Sequence, residues 1–315
     1  MSILALQYLF WACLAVFLIA NRKSLFGAWH FRIFRILFHH FRLHRSRRVD
    51  VDKDGYQAIF QPIVTSSYSP LLECDYNLHK SNSTYFTDLD VNHTHLLSNL
   101  FKELLSPSPK EGTRGIEGKL LTVALGGVAC TFTKDIKPYE KYEVWTRVLC
   151  WDEKWLYVVS HFVKHGAVRP AQDSFNRGGI GDVRADERKR RGGVPCDFSL
   201  GSEQDLKKIV FASSMAKYVF KRGRITVPPR SAMESIGLLP RPPSSLTPDG
   251  PHLHQAQASR AVTSQSNGAS NMEKWTLTRL EEENEKGLKV AAHLAQLVRV
   301  QDSFTGPSAS VQGIF

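Results

Sequence analysis

The chain has 315 residues, 42% hydrophobic and 23% charged, enough apolar content for a folded core and too much for a wholly disordered polymer. Its formal charge of +11 is unevenly placed: residues 1–50 hold eight Lys/Arg against one acid, a net of +7, which leaves +4 for the other 265 residues. The basic excess therefore belongs to the N-terminal segment, and no interleaved basic–aromatic surface elsewhere argues for a nucleic-acid partner. Five scattered cysteines (Cys13, Cys74, Cys130, Cys150, Cys196) without CxxC spacing disfavour a disulfide framework or a structural zinc site and suit a reducing compartment.

Residues 2–20 are apolar except for Ser2 and Gln7, long enough to span a bilayer as a helix. Lys and Arg crowd only the C-terminal flank, and no charged side chain precedes Arg22. That pattern predicts a retained anchor rather than a cleaved signal peptide, with the rest of the chain in the cytosol. Residues 29–43 predict a second membrane element. Arg32, Arg35, His39 and Arg42 share one helical face and Phe31, Phe34, Phe38 and Phe41 lie on the remainder, which suits a helix lying among anionic headgroups. The alternative is a helix packed on the domain that follows. Residues 50–70 read as an entry segment.

The stretch 73–105 carries the strongest pattern. Phe86, Leu89, His93, Leu97, Leu100 and Leu104 recur every three or four residues, predicting a helix with one apolar face. Asn82 or Ser83 is the expected N-cap and the SPSP at 106–109 the stop. Asp90 falls at the edge of the apolar stripe, whereas Asp88 points away from it and reads as solvated. Beyond a Pro/Gly-rich loop, Leu120–Lys134 reads as a strand with Gly126 and Gly127 marking a bulge or a close backbone approach. Tyr142–Trp151 and Trp155–Lys164 read as a hairpin turning at Asp152–Lys154. Residues 165–205 have little to bury and are expected to form a mobile insertion. Ala212–Val227 reads as a last strand. The Pro/Ser/Gln-rich tract that follows reads as linker, and 273–300 as an amphipathic helix weakened by Gly287.

Glu73-Cys74-Asp75, His79, Asn82 and Tyr85-Phe86 resemble the D-x-D-x-x-x-H-x-x-N-x-x-Y signature of hotdog-fold thioesterases. Glu73 replaces the first Asp, and Leu78 stands where many members carry Gly. With GGVACTFTKDIKPYEKYEVWTRVLCWDEKW and KYVFKRG, residues 70–230 are similar to fungal thioesterase-like proteins of lipopeptide and polyketide clusters. More distantly they are similar to the animal thioesterase-superfamily member six. The resemblance implies an α+β hotdog fold, a long helix wrapped by an antiparallel sheet, behind an N-terminal transmembrane helix. It implies hydrolysis of an acyl thioester on coenzyme A or an acyl carrier protein, with water as co-substrate and no metal or redox cofactor.

By the same resemblance Asp75 is the catalytic nucleophile or general base, the backbone N–H near Asn82 an oxyanion donor, and His79 and the Asn82 side chain its supports. Tyr85, Asp90, Gly126 and Gly127 are the expected substrate-binding positions, with Asp90 also a reserve carboxylate. Physical chemistry agrees on the place: a helix N-terminus offers unpaired N–H groups where negative charge develops. A homodimer is expected, since hotdog sheets commonly pair edge to edge. Two competing readings are an acyl-thioester dehydratase on the same fold and a non-catalytic acyl-binding scaffold of the membrane. The expected organisation is anchor 1–22, basic juxtamembrane segment 23–50, hotdog domain 51–230 with the insertion 165–205, disordered linker 231–272, helix 273–300 and tail 301–315.

Overall fold

The computed structural model describes residues 3–43, 55–105, 121–169, 194–195, 208–240 and 275–297. The expected loop 106–119 and nearly all of the insertion 165–205 lie outside the described residues, as do residues 241–274 of the linker. Helix α1 spans Ile3–Ala20 and α2 Ala28–Phe38. Strand β1 (Ile63–Tyr68) leads to the central helix α3 (Asn82–Leu100) and a short α4 (Lys102–Leu105). Strands β2 (Leu121–Phe132), β3 (Lys141–Trp151), β4 (Leu156–Lys164), β5 (Val210–Arg222) and β6 (Ile225–Val227) follow. Helices α5 (Pro229–Ser235) and α6 (Leu277–Gln296) close the chain.

The strands form one antiparallel sheet in the order β1-β3-β4-β5-β2, with β6 against β5. Helix α3 lays its apolar stripe across the sheet: Leu89, His93, Leu97 and Leu100 are buried as their spacing predicts. The register explains how the core divides. One row, Val148–Val158–Ala216, belongs to the larger apolar cluster with Leu96, Leu97 and Leu100. Another row holds Phe162 opposite Val144 and Ala212, and joins Tyr85 and Leu89 in a second cluster. Between them runs Thr146–Ser160–Ser214, three buried hydroxyls in register.

Several expectations need correction. The entry segment 50–70 contains β1, an edge strand paired with β3 from Ile63↔Thr146 to Tyr68↔Lys141. The strand expected over 212–227 breaks at Gly223 (φ +63°), where a turn sends Ile225–Val227 back along Phe220–Arg222. The linker expected at 231–272 does not begin at 231: α5 buries Ala232 and Met233, and Leu238 and Leu239 join the larger core. Pro229 starts that helix because it needs no N–H there. Gly287, read as a weakness in α6, lets the helix touch β3: a Cβ there would meet the Leu149 carbonyl oxygen at 2.5 Å.

Helix α2 packs on α3, with Arg32, Ile36 and His40 turned inward. Its outer side carries Phe31, Phe34 and Phe38, all exposed. The face read as uniformly basic is thus split, with Arg32 bonded to the domain and Arg35 in solvent.

Candidate active site

The signature residues form a tight loop at the head of α3. Cys74 and Lys80 pair as an isolated antiparallel bridge, and Asp75 N–H donates to the His79 carbonyl at 2.9 Å. Inside that closure, Leu78 N–H donates to the Asp75 carbonyl (3.0 Å) and Asn77 N–H to Asp75 Oδ1 (2.9 Å). Leu78 has φ +58°, a left-handed conformation that favours glycine. A side chain is tolerated here because it projects into solvent. Two long bonds weld the loop's base: Lys80 N–H to the Ile136 carbonyl and Ser81 N–H to the Glu73 carbonyl, both 2.8 Å.

Asp75 Oδ2 lies 3.6 Å from His79 Nδ1, with each side chain about one-quarter exposed. Helix α3 begins at Asn82, with Ser81 as its cap residue rather than Asn82 or Ser83. Ser81 makes no side-chain cap bond. The amides of Asn82 and Ser83 belong to the first turn, which has no intrahelical acceptors. The Asn82 side chain is exposed. The loop thus brings together a carboxylate and an imidazole, both partly exposed, just ahead of a helix N-terminus.

Beneath it lies a charge cluster that helical spacing did not predict. Asp88 is 1% exposed, not solvated. Its Oδ2 accepts from Lys23 (2.9 Å) and from the Tyr142 hydroxyl and sits 3.1 Å from Lys80 Nζ, while Oδ1 accepts from Arg32 at 3.0 Å. Glu73 Oε2 accepts from Lys80 at 2.6 Å and Lys23 at 2.9 Å. Burial works to raise the Asp88 carboxyl, but Lys23, Lys80, Arg32 and the Tyr142 hydroxyl together hold it well below the ordinary carboxylate range. Burial depresses the Lys23 ammonium, with Asp88 and Glu73 acting against it. The same burial, reinforced by Asp88, drives the Tyr142 phenol up. The sequence held only a faint signal, a lysine upstream, Lys23, with no assigned partner.

Of the remaining candidates, Tyr85 borders the base of the loop, its ring centroid 5.3 Å from Lys80 Nζ. Tyr85 is buried in the core, edge-on to Phe132 and Phe162. Asp90 is half-buried; burial raises its carboxyl, and a hydrogen bond from Trp29 of α2 opposes that. Gly126 sits in a β-bulge of β2, where a Cβ would lie 2.1 Å from the Trp155 ring. Gly127 passes close to Lys217. They are six residues and five residues along β2 from Phe132, the strand's contact with Tyr85, roughly 16–20 Å at the usual rise. His93 is a satisfied core group: its ring nitrogens meet Tyr218 (2.8 Å) and Ser160 (3.1 Å), and burial lowers its pKa to about 3. Asn92-His93-Thr94 has the form of a glycosylation sequon, but Asn92 is buried and donates to the Asp88 carbonyl, which leaves no room for a glycan.

A helix wrapped by an antiparallel sheet, with a polar loop at the helix head, is the hotdog arrangement of thioester hydrolases. Comparison with known proteins agrees: residues 70–185 match the thioesterase-like superfamily. The probable thioesterase atnL of Emericella nidulans is 37% identical over 292 residues, covering 89% of this chain and 83% of its own. Thioesterase poxG of Penicillium oxalicum is 39% identical over 281 residues, covering 88% and 80%. Thioesterase lcsJ of Purpureocillium lilacinum is 30% identical over 250 residues, covering 75% and 68%. The chain belongs to the thioesterase-like superfamily, and its reaction class is thioester hydrolysis.

Proposed function

We propose that the protein is a membrane-anchored acyl thioesterase of fungal secondary metabolism, acting on acyl groups carried by coenzyme A or an acyl carrier protein. The observation that carries the site is the loop itself, which holds Asp75 and His79 together in the open at the head of α3. Asp75 acts on the thioester carbonyl in one of two ways. It attacks directly, forming a mixed anhydride that water then cleaves, or it takes a proton from an attacking water. Either way the C–S bond breaks, the acid and the thiol leave, and water supplies the oxygen and the thiol proton. The N–H groups of Asn82 and Ser83 stabilise the oxyanion, for which a helix N-terminus is suited. His79 orients the Asp75 carboxylate.

Asp75→Asn keeps size and most hydrogen bonding while removing the charge. Its turnover on a good acyl thioester should fall by roughly 10²–10⁴-fold, the range for losing a general base. Wild-type turnover in a normally melting Asp75→Asn protein would remove this site. The His79–Asp75 pair also suits a dehydratase, so the assay follows both thiol release and unsaturated product. A protein that only binds acyl groups would release neither.

Membrane attachment is supported by α1, 18 residues with mean hydropathy 2.3 and no residue buried. Phe26 and the outward Phe31, Phe34 and Phe38 extend that apolar character past the helix, with Arg22, Arg35 and Arg42 exposed among them. Such a surface suits the boundary between headgroups and acyl chains. The basic flank supports a cytosolic catalytic domain. Protease added outside sealed microsomes should digest it; protection would reverse the assignment. A homodimer is supported by β2, a long strand without proline that has no further strand on its outer side among the described residues, an edge that could pair with a second copy.

A further inference from the structure

The superfamily match begins at residue 70, yet one side chain at the centre of the buried cluster comes from 47 residues upstream (70 − 23). Lys23 stands three residues beyond the last residue of α1, and its ammonium, with three N–H donors to share, lies within hydrogen-bond distance of four oxygens from four places. These are the Tyr68 carbonyl at the end of β1 (3.0 Å), Glu73 at the base of the candidate loop (2.9 Å), Asp88 on α3 (2.9 Å) and the Tyr142 hydroxyl on β3 (2.8 Å). Its side chain is 6% exposed. The residues on either side clasp the same segment. Tyr68 Oη donates to the Ala20 carbonyl (3.0 Å), Asn21 Oδ1 accepts from Leu72 N–H (3.0 Å), and Ser24 Oγ donates to Glu73 (3.3 Å). Residues 20–24 therefore hold residues 68–73 along their length, just before Cys74–Lys80 closes around Asp75.

We propose that Lys23 is a positioning residue for hydrolysis: the stretch 20–24 is a strut that links the end of α1 to the loop presenting Asp75 and His79. Charge counting shows why such a residue is not merely structural. Lys23, Lys80 and Arg32 face Glu73 and Asp88, three cations against two carboxylates. Without Lys23 the cluster is balanced two to two, so its loss need not strand a buried charge, the main way that breaking a buried ion pair unfolds a protein. What disappears is the side chain that joins the Tyr68 carbonyl to Glu73, Asp88 and Tyr142 at one point. The segment before the loop is then held by Lys80 and by the weaker, neutral clasps at Ala20, Asn21 and Ser24. Because the strut starts at the last residue of α1, the loop's placement is tied to the seat of that helix. This inference rests on the thioesterase reading of the loop.

The test uses the full chain in phosphatidylcholine nanodiscs, with decanoyl-coenzyme A as the probe substrate. Lys23→Met should lower kcat by about 10- to 100-fold, the cost of misplacing a reacting group by around an ångström, with KM changed less than about threefold. Backbone amides of residues 75–80 should exchange with solvent about tenfold faster, while those of 89–100 keep wild-type protection. Tyr68→Phe cuts the clasp at Ala20 and leaves every ion in place. It should move both readouts the same way by about two- to fivefold, and it carries the test if Lys23→Met does not fold. Lys289→Gln, an exposed side chain of α6 outside the strut, should change neither. Wild-type turnover and loop exchange in both variants overturn the proposal. So does a loss of turnover that merely follows lost protection throughout α3. Loop exchange reads the strut without reference to catalysis, so full activity in Asp75→Asn would sink the site and leave the strut to be judged by exchange alone.

Discussion

Two buried polar clusters flank the head half of α3, and they are built on opposite principles. The one beneath the loop is ionised: five charges from the leader, the loop and the helix, tied together by Tyr142. The other, in mid-core, is neutral: His93 joined to Tyr218 and Ser160, and Ser160 to Thr146. Charges stay buried only when paired, so the first cluster must be complete and must draw on distant segments. Hydroxyls and a neutral imidazole satisfy one another within a single sheet and its helix. The ionic cluster can therefore tie the leader to the candidate loop, while the neutral one only separates two apolar layers.

Asp88→Asn should break that contrast most severely. It leaves Lys23, Lys80 and Arg32 facing Glu73 alone and should destabilise the fold by about 3–5 kcal/mol, measured by denaturant melting at pH 7. A loss below about 1 kcal/mol would mean the cluster is hydrated rather than buried.

Acid separates the clusters by where each gives way. His93 is neutral in the fold, with its pKa lowered from 6.5 to about 3, so the unfolded chain binds the proton first. Stability from this residue is therefore lost as pH falls from about 6.5 towards 3, at about 1.4 kcal/mol per pH unit. Asp88, held below its ordinary value, contributes stability that is complete above about pH 4 and lost only further down. His93→Gln should cost about 1–2 kcal/mol at neutral pH and remove one proton's worth of slope between pH 6 and 4. Burial also lowers His95, to about 4, so part of the slope should remain. An unchanged slope would show that His93 is charged in the fold. Thr146→Val is the mildest change. Ser160 keeps His93 as a partner, so the loss should stay within about 1 kcal/mol.

How legible each cluster was follows from the same contrast. The apolar stripe of α3, the hairpin turning on Asp152, the bulge at Gly126 and the burial of His93 all follow from local spacing, and the structure has them. Asp152 Oδ1 closes its turn by accepting from Lys154 and Trp155 N–H. The ionic cluster escaped because periodicity describes one helix face at a time. It cannot show that α2, 50 or more residues upstream, covers a second face through Arg32 and Asp88. Strand β1 was missed because IVTSSY is a half-buried edge without alternation. Helix α5 was hidden by the proline-rich tract around it, although Met233, Leu238 and Leu239 were there to be buried. The positive φ at Leu78 could have been anticipated, since glycine commonly fills that place in the resembling proteins.

Gly287 permits more than a close approach. With the backbone of α6 against Leu149, the side chain of Asn284 reaches both main-chain groups of Trp151: its Oδ1 accepts from Trp151 N–H (2.8 Å) and its Nδ2 donates to Trp151 C=O (3.1 Å). Strand β1 stops opposite Thr146, five residues short (151 − 146), so no strand among the described residues pairs with β3 on that flank. One amide side chain thus does there what a further strand would do. It also gives the C-terminal helix a single address. Slipping by one turn would put a larger side chain where only glycine fits and carry Asn284 past the one peptide it can read, so the helix docks in one register or does not dock.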